Sequence, residues 1–150
     1  MNYTIKCNVW GGRIELLRDG HVIGRIDSRV FWSFNAIGLL NENTFTFINK
    51  GLFSSRTEIL DQHNQIIGDI EYSNWSSRAK IDLNGKMLYW EASNFWATRW
   101  RLEDQYGREI LLEKNEFIVN YPNPEEDEFL FLLALFLLHR FHRMMAAGAA

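Results

Sequence analysis

The chain of 150 residues has one cysteine, two prolines and no excess of basic charge, with 16 Lys+Arg against 19 Asp+Glu. The lone Cys7 excludes an intramolecular disulfide and any cysteine framework. Near-balanced charge argues against a duplex nucleic-acid binder, which normally carries a basic excess, and no nucleic-acid partner is expected. The first ten residues lack the apolar stretch of a signal peptide. A reducing, cytoplasmic setting is therefore expected, with peripheral attachment to a membrane left open. Catalytic signatures are missing too: there is no P-loop, no G-x-S-x-G elbow, no H-E-x-x-H and no paired C-x-x-C. Gly11-Gly12 is followed by no helical pattern, so it cannot open a phosphate loop. No catalytic residue, cofactor or metal is assigned, and the chain reads as a non-enzyme. Aromatics are plentiful at 15%, enough to fill the core of a single domain over 1–150.

Both prolines, Pro122 and Pro124, sit together near the C-terminus, and the chain before them alternates with period two. Ala79, Ile81 and Leu83 alternate with Arg78, Lys80 and Asp82, as in a half-buried strand. Val30, Trp32 and Phe34 form one face of another strand, and Phe45 and Phe47 of a third. Trp96, Thr98, Trp100 and Leu102 share a face opposite Ala97, Arg99 and Arg101. Asp19-Gly20 and Asn84-Gly85 supply the positive φ angles of two-residue hairpins. Asp61 to Gln65 and Asp104 to Gly107 read as longer hairpin loops. Strands are predicted near 3–9, 13–18, 21–27, 29–34, 43–48, 56–60, 66–72, 78–83, 86–91, 94–102, 108–113 and 116–120. That density suits an all-β sandwich or barrel. The hairpins also echo one another at Glu15–Asp27, Glu58–Glu71 and Trp100–Glu113. The echo fits either internal duplication or the general likeness of hairpins.

After Asn120 the pattern changes. Asn123 is placed as an N-cap and Pro124 at the first helical position, with the helix running over about 124–145. Glu125 to Glu128 load its start with negative charge. His139, Arg140, His142 and Arg143 are placed at its far end, complementing the helix dipole. Between them, Phe129 to Leu138 has no polar face, so protein or lipid must surround it. Ten residues span about 15 Å, whereas a bilayer needs about 20 residues. Three settings remain open: a buried core helix, a short tail anchor and an intermolecular contact. The first needs a container, and a closed antiparallel barrel of about twelve strands around this C-terminal helix is the predicted fold.

This arrangement resembles the tubby-like barrel superfamily, which includes tubby C-terminal domains, LURP-one-related proteins and phospholipid scramblases. The repeated hairpins and the Phe129–Leu138 helix carry the resemblance, which is one of pattern over nearly the whole chain. It implies a roughly twelve-stranded barrel threaded by a hydrophobic C-terminal helix. The chain is short for the family, so some strands or loops must be minimal.

Most chemistry-bearing residues have a plain structural reading. Cys7 reads as a small strand residue rather than a nucleophile. His139 and His142, spaced i,i+3, supply two ligands where zinc usually takes four. His21 and His63 fall in or beside turns. Scramblases carry a calcium-binding acidic segment in a place comparable to Glu125–Glu128, but the D-x-[DN]-x-[DN]-G spacing is absent here. The surface candidates are cationic. Arg78 and Lys80 share one strand face, Arg99 and Arg101 another, with Trp75, Trp90, Trp96 and Trp100 nearby in sequence. Basic groups beside aromatics suit a phosphorylated head group, and the resemblance implies this use because tubby domains bind phosphoinositides. The same cations also suit a solvated outer wall, where acids accompany them. Two functions follow as expectations. The first is a monomeric binding or adaptor module for anionic lipid head groups or a protein partner. The second is a small tail-anchored, scramblase-like membrane protein.

Overall fold

Twelve antiparallel strands form a closed ring in which sequence neighbours are also spatial neighbours. They are β1 (Tyr3–Asn8), β2 (Arg13–Arg18), β3 (His21–Asp27), β4 (Ala36–Leu40), β5 (Asn43–Lys50), β6 (Arg56–Leu60), β7 (Ile66–Ser73), β8 (Arg78–Leu83), β9 (Lys86–Ala92), β10 (Arg99–Asp104), β11 (Glu109–Glu113) and β12 (Glu116–Val119). A short 3-10 turn at Pro124–Asp127 leads into α1 (Glu128–Ala149). This computed structural model describes residues 1–8, 13–27, 35–51, 55–73 and 77–149. β12 closes the ring on β1 through the Thr4 and Glu116 pairing and the Ile5 N–H to Asn115 carbonyl bond of 2.9 Å.

Alternation fixes the two faces of the wall. Leu16, Ile26, Phe47, Ile59, Ile70, Ile81, Leu88 and Leu102 point inward and are buried, while their neighbours face solvent. The helix fills the ring: Phe131 through Leu135 and Phe136 have no exposed surface. Aromatic stacking joins wall to helix, with Tyr3 on Phe131 at 4.2 Å and Phe47 on Phe136 at 4.1 Å. At two inward positions the wall must be thin. A Cβ at Gly38 would stand 3.1 Å from a Leu132 methyl, and one at Gly24 would stand 2.6 Å from the Leu39 carbonyl. Glycine at 38 lets β4 approach the helix, and glycine at 24 lets β3 lie close against the β4 backbone.

The turns follow their residues. Asp19-Gly20 and Asn84-Gly85 all take positive φ. The Asp61 and Asp104 loops are built alike. In each, the Asp Oδ1 accepts from the backbone N–H two and four residues on, at 2.8 and 3.0 Å. Hairpins β2–β3 and β6–β7 also share a register shift, after Leu16 and after Ile59, and an inward glycine, Gly24 and Gly68. The sequence echo thus has a structural counterpart in these two hairpins.

The predicted strand at 29–34, with Val30, Trp32 and Phe34, lies outside the described residues, as does Trp75, and β4 at Ala36–Leu40 is a strand that alternation does not reveal. Several other expectations need correction. β10 starts at Arg99, so Trp96 and Thr98 belong to a turn. Alternation misled there because Asn94 pins that turn. Its Oδ1 accepts from the Thr98 and Arg99 N–H groups at 3.0 and 3.1 Å. Asn123 takes a left-handed φ of 58° and makes no side-chain cap. Cys7 is a strand residue of β1, as expected, with its side chain exposed. α1 runs on to Ala149, which leaves no basic residue in its last turn. Arg140 is buried at 2% exposure rather than dressing a helix end. Its guanidinium covers the Tyr72 ring at 3.8 Å and donates to Asn49 Oδ1 at 3.0 Å.

Candidate functional site

The four predicted cations do not all meet. Arg78, Lys80 and Arg101 line one open groove of about 830 Å³ on the outer wall, together with Glu71, Tyr89, Glu91 and Glu103. Arg99 stands apart, donating to Glu113 on β11 at 2.8 Å. Register explains the convergence: Glu91 of β9 lies opposite Arg78 of β8 on one side and Arg101 of β10 on the other. Arg101 donates to Glu91 and lies 3.8 Å from Glu103 and 3.7 Å from Glu109. These carboxylates, with the Glu91 hydrogen bond foremost, push the Arg101 pKa further up. Arg78 reaches Glu91 at 3.7 Å. Lys80 faces Glu71 and Tyr89 across its two neighbours. In this groove three cations meet three glutamates, so an incoming anion has to displace carboxylates already in place.

The ends of the barrel are less balanced than its wall. In a ring of antiparallel strands, alternate connections emerge at alternate ends. One end carries Arg13, Lys50, Arg56, Arg78 and Arg99 as the terminal residues of their strands, with Lys114 in the β11–β12 turn. The acids on strand ends there are Asp27, Glu113 and Glu116. The opposite end carries Asp19, Glu42, Asp61, Asp104 and Glu109 on strand ends and turns. The helix approach adds Glu125 to Glu128 to that end. Among the described cations, Arg18, Lys86 and Arg108 are the ones at that acidic end. The net charge of −3 is therefore an average over two unlike poles.

Ion pairs at the basic end do not hide its charge. Arg13 pairs with Asp27, Lys50 with Glu58, Arg56 with Asp69, Arg78 with Glu91 and Arg99 with Glu113, yet these cation side chains stay 40 to 64% exposed. Exposed pairs of this kind are worth about 0–1 kcal/mol, so a ligand can compete for them.

The helix enters at the acidic end and leaves at the basic one. At the acidic end Glu128 accepts from the Tyr3 hydroxyl and from Arg18 Nη1, both at 2.7 Å. Burial and this carboxylate hold the Tyr3 hydroxyl well above the ordinary phenol range. At the basic end Phe141 meets Trp100 edge-on at 4.8 Å, and beyond it His142 and Met145 are exposed. His139 lies one turn below, and burial, then Arg143 and His142, pull its pKa down to about 4.

The β9–β10 turn projects from the basic end. Phe95 is 91% exposed and Trp96 is 79% exposed, and their rings meet edge-to-face at 5.2 Å. Asn94 braces the turn through Thr98 and Arg99, and Ala97 takes a positive φ of 55°. Of these residues, the sequence pattern points to Arg78 and Arg99 and puts Trp96 on a strand face, but it does not single out Phe95, Lys114, Arg13, Lys50 or Arg56. The signal that finds them is connection parity, which needs the right strand count first.

Among the described residues, no group of three or more His, Cys, Asp or Glu side chains could hold a metal ion, and no helix is long and apolar enough to cross a membrane. No family model, curated protein or solved structure matches the chain.

Proposed function

We propose that the protein is a non-enzymatic binding module for anionic surfaces, with phospholipid head groups as its ligand and a peripheral mode of attachment. The observation that carries this reading is the gathering of exposed Arg and Lys on strand ends at one pole. A pole with an excess of one sign attracts and orients an oppositely charged partner even when the whole molecule is acidic. A closed barrel of twelve strands around a C-terminal helix also supports the resemblance to the tubby-like superfamily. In that family, phosphoinositide binding is the use that the resemblance implies. The tail-anchored alternative has less support, because Phe131 through Phe136 lie inside the ring with the strands around them.

Vesicle flotation tests the reading. The protein should float with phosphatidylcholine vesicles that contain phosphatidylserine or a phosphoinositide, and remain behind with phosphatidylcholine alone. Binding should weaken as salt is raised, because exposed charges are screened over about 10 Å at 0.1 M. Replacing Arg78 and Lys80 together by Ala should weaken flotation several-fold, whereas Arg108→Ala at the acidic pole should not. A wild-type protein that ignores anionic vesicles at low salt overturns the reading.

A further inference from the structure

We infer that the basic pole docks end-on to an anionic bilayer, with Phe95 and Trp96 as the residues that enter the interface. This inference rests on the lipid reading above and adds the docking face, the orientation and the inserting side chains. Two large aromatic rings at 91% and 79% exposure are costly to hold in water. They are nonetheless held there by a braced turn. Asn94 accepts from two backbone N–H groups, Asn94 Nδ2 donates to Thr98 Oγ1 at 2.6 Å, and the Ser93 N–H donates to the Arg99 carbonyl at 2.8 Å. A pre-formed tip loses little conformational entropy on binding. Tryptophan suits the head-group level of a bilayer, where one edge is apolar and the other wet.

Charge complementarity selects the occupant. Arg99 closes the same turn, and Arg78 begins the strand next but one in the ring. Lys114 lies in the following turn at the same pole. Cations placed around an aromatic tip match an anionic leaflet, which attracts each Lys or Arg near its surface by about 1 kcal/mol. The acidic pole then faces away, and its charge opposes the inverted orientation. At the acidic pole, the turn after β10 presents the exposed ring of Tyr106, at the end where acids predominate over cations.

The test compares the wild-type chain with the double variant Phe95→Ala, Trp96→Ala on phosphatidylcholine vesicles containing phosphatidylserine. The double variant should keep the wild-type melting temperature, because neither ring is buried. It should bind at least about tenfold more weakly, since burial of even one such ring is worth a factor of that size. Tyr106→Ala, at the acidic pole, should bind as wild type. Vesicles with brominated acyl chains should quench the wild-type tryptophan fluorescence more than that of Trp96→Phe. If the wild type binds and the double variant binds equally well, the docking face is wrong while the lipid reading survives. If the wild type does not bind, both fall. Equal binding to phosphatidylcholine alone removes the role of charge. Concentration-dependent dimerisation abolished by the double variant, without vesicle binding, would assign the tip to a second copy of this chain and overturn the inference.

Discussion

The two poles of the barrel treat the same helix differently. Where α1 enters, its first residue Glu128 is clamped by Tyr3 and Arg18, so the buried carboxylate has one neutral and one cationic donor. Where it leaves, Arg140 is sealed against the Tyr72 ring and Asn49, and His139 Nε2 meets no hydrogen-bond partner among the described residues. The acidic pole is thus a closed structural joint. The basic pole holds buried nitrogen bases, exposed cations and an exposed aromatic tip. Features that weaken a fold and gather at one place are candidates for function.

The sharpest way to break the comparison is to cut the connection between the poles. Leu133 lies midway along the apolar run Phe129–Leu138 with no exposed surface. Leu133→Asp removes packing worth about 2–5 kcal/mol and buries an unpaired carboxylate at a further cost of several kcal/mol. Domains of this size hold about 5–15 kcal/mol in total. The variant should therefore lose its β-sheet circular dichroism and cooperative melt together, with both poles unfolding as one. A variant whose strands keep a wild-type melt would show that the helix is dispensable to the ring.

A smaller effect separates the poles by pH. His139 has a pKa of about 4, pulled below the ordinary 6.5 chiefly by burial and secondarily by Arg143 and His142. The unfolded chain binds a proton at this site before the folded one does. Stability is therefore complete above pH 6.5 and falls as pH drops toward 4, by at most about 3 kcal/mol. His139→Gln should flatten the stability curve in that window relative to wild type. Urea midpoints measured at steps between pH 7 and 4 would check this. Parallel curves for the two proteins would show that His139 is solvated at the basic pole.

The fold was legible in the sequence because its signals are local and strong. Period-two alternation at Ala79–Leu83, the Asn84-Gly85 turn and the apolar run at Phe129–Leu138 each have one cheap solution. The convergence of the predicted cations was legible in part: Arg78, Lys80 and Arg101 line a common groove, and Arg99 does not. What alternation could not show is where a strand begins. Trp96, Thr98 and Trp100 keep period two across a boundary that the Asn94 side chain imposes. Burial of Arg140 was hidden for a different reason. A basic residue after an apolar run reads as a helix end, and only Asn49, Thr57 and Tyr72, distant in sequence, turn its position into an interior one. Thr57 joins that group by hydrogen bonds to Asn49 at 2.9 Å and Tyr72 at 2.7 Å.

The gentlest change probes the acidic pole. Glu128→Gln keeps the shape of the side chain and an oxygen that can accept from the Tyr3 hydroxyl. It removes the charge that faces Arg18 and one of the acids at the start of the helix. Hydrogen bonds to charged groups are worth about 1.5–3 kcal/mol against about 0.5–1.5 for neutral ones. The Arg18 side chain is 36% exposed, so water offsets part of the difference. A loss of about 1–2 kcal/mol is expected, read as a lower urea midpoint with an unchanged slope. With the carboxylate gone, burial alone should keep the Tyr3 hydroxyl raised, but less than before, because the hydrogen bond and charge of Glu128 act in the same direction as desolvation. Vesicle binding should not change, since Glu128 lies at the pole opposite the proposed docking face. If Glu128→Gln altered flotation as much as the Phe95→Ala, Trp96→Ala pair, structure and binding would not be divided between the two poles.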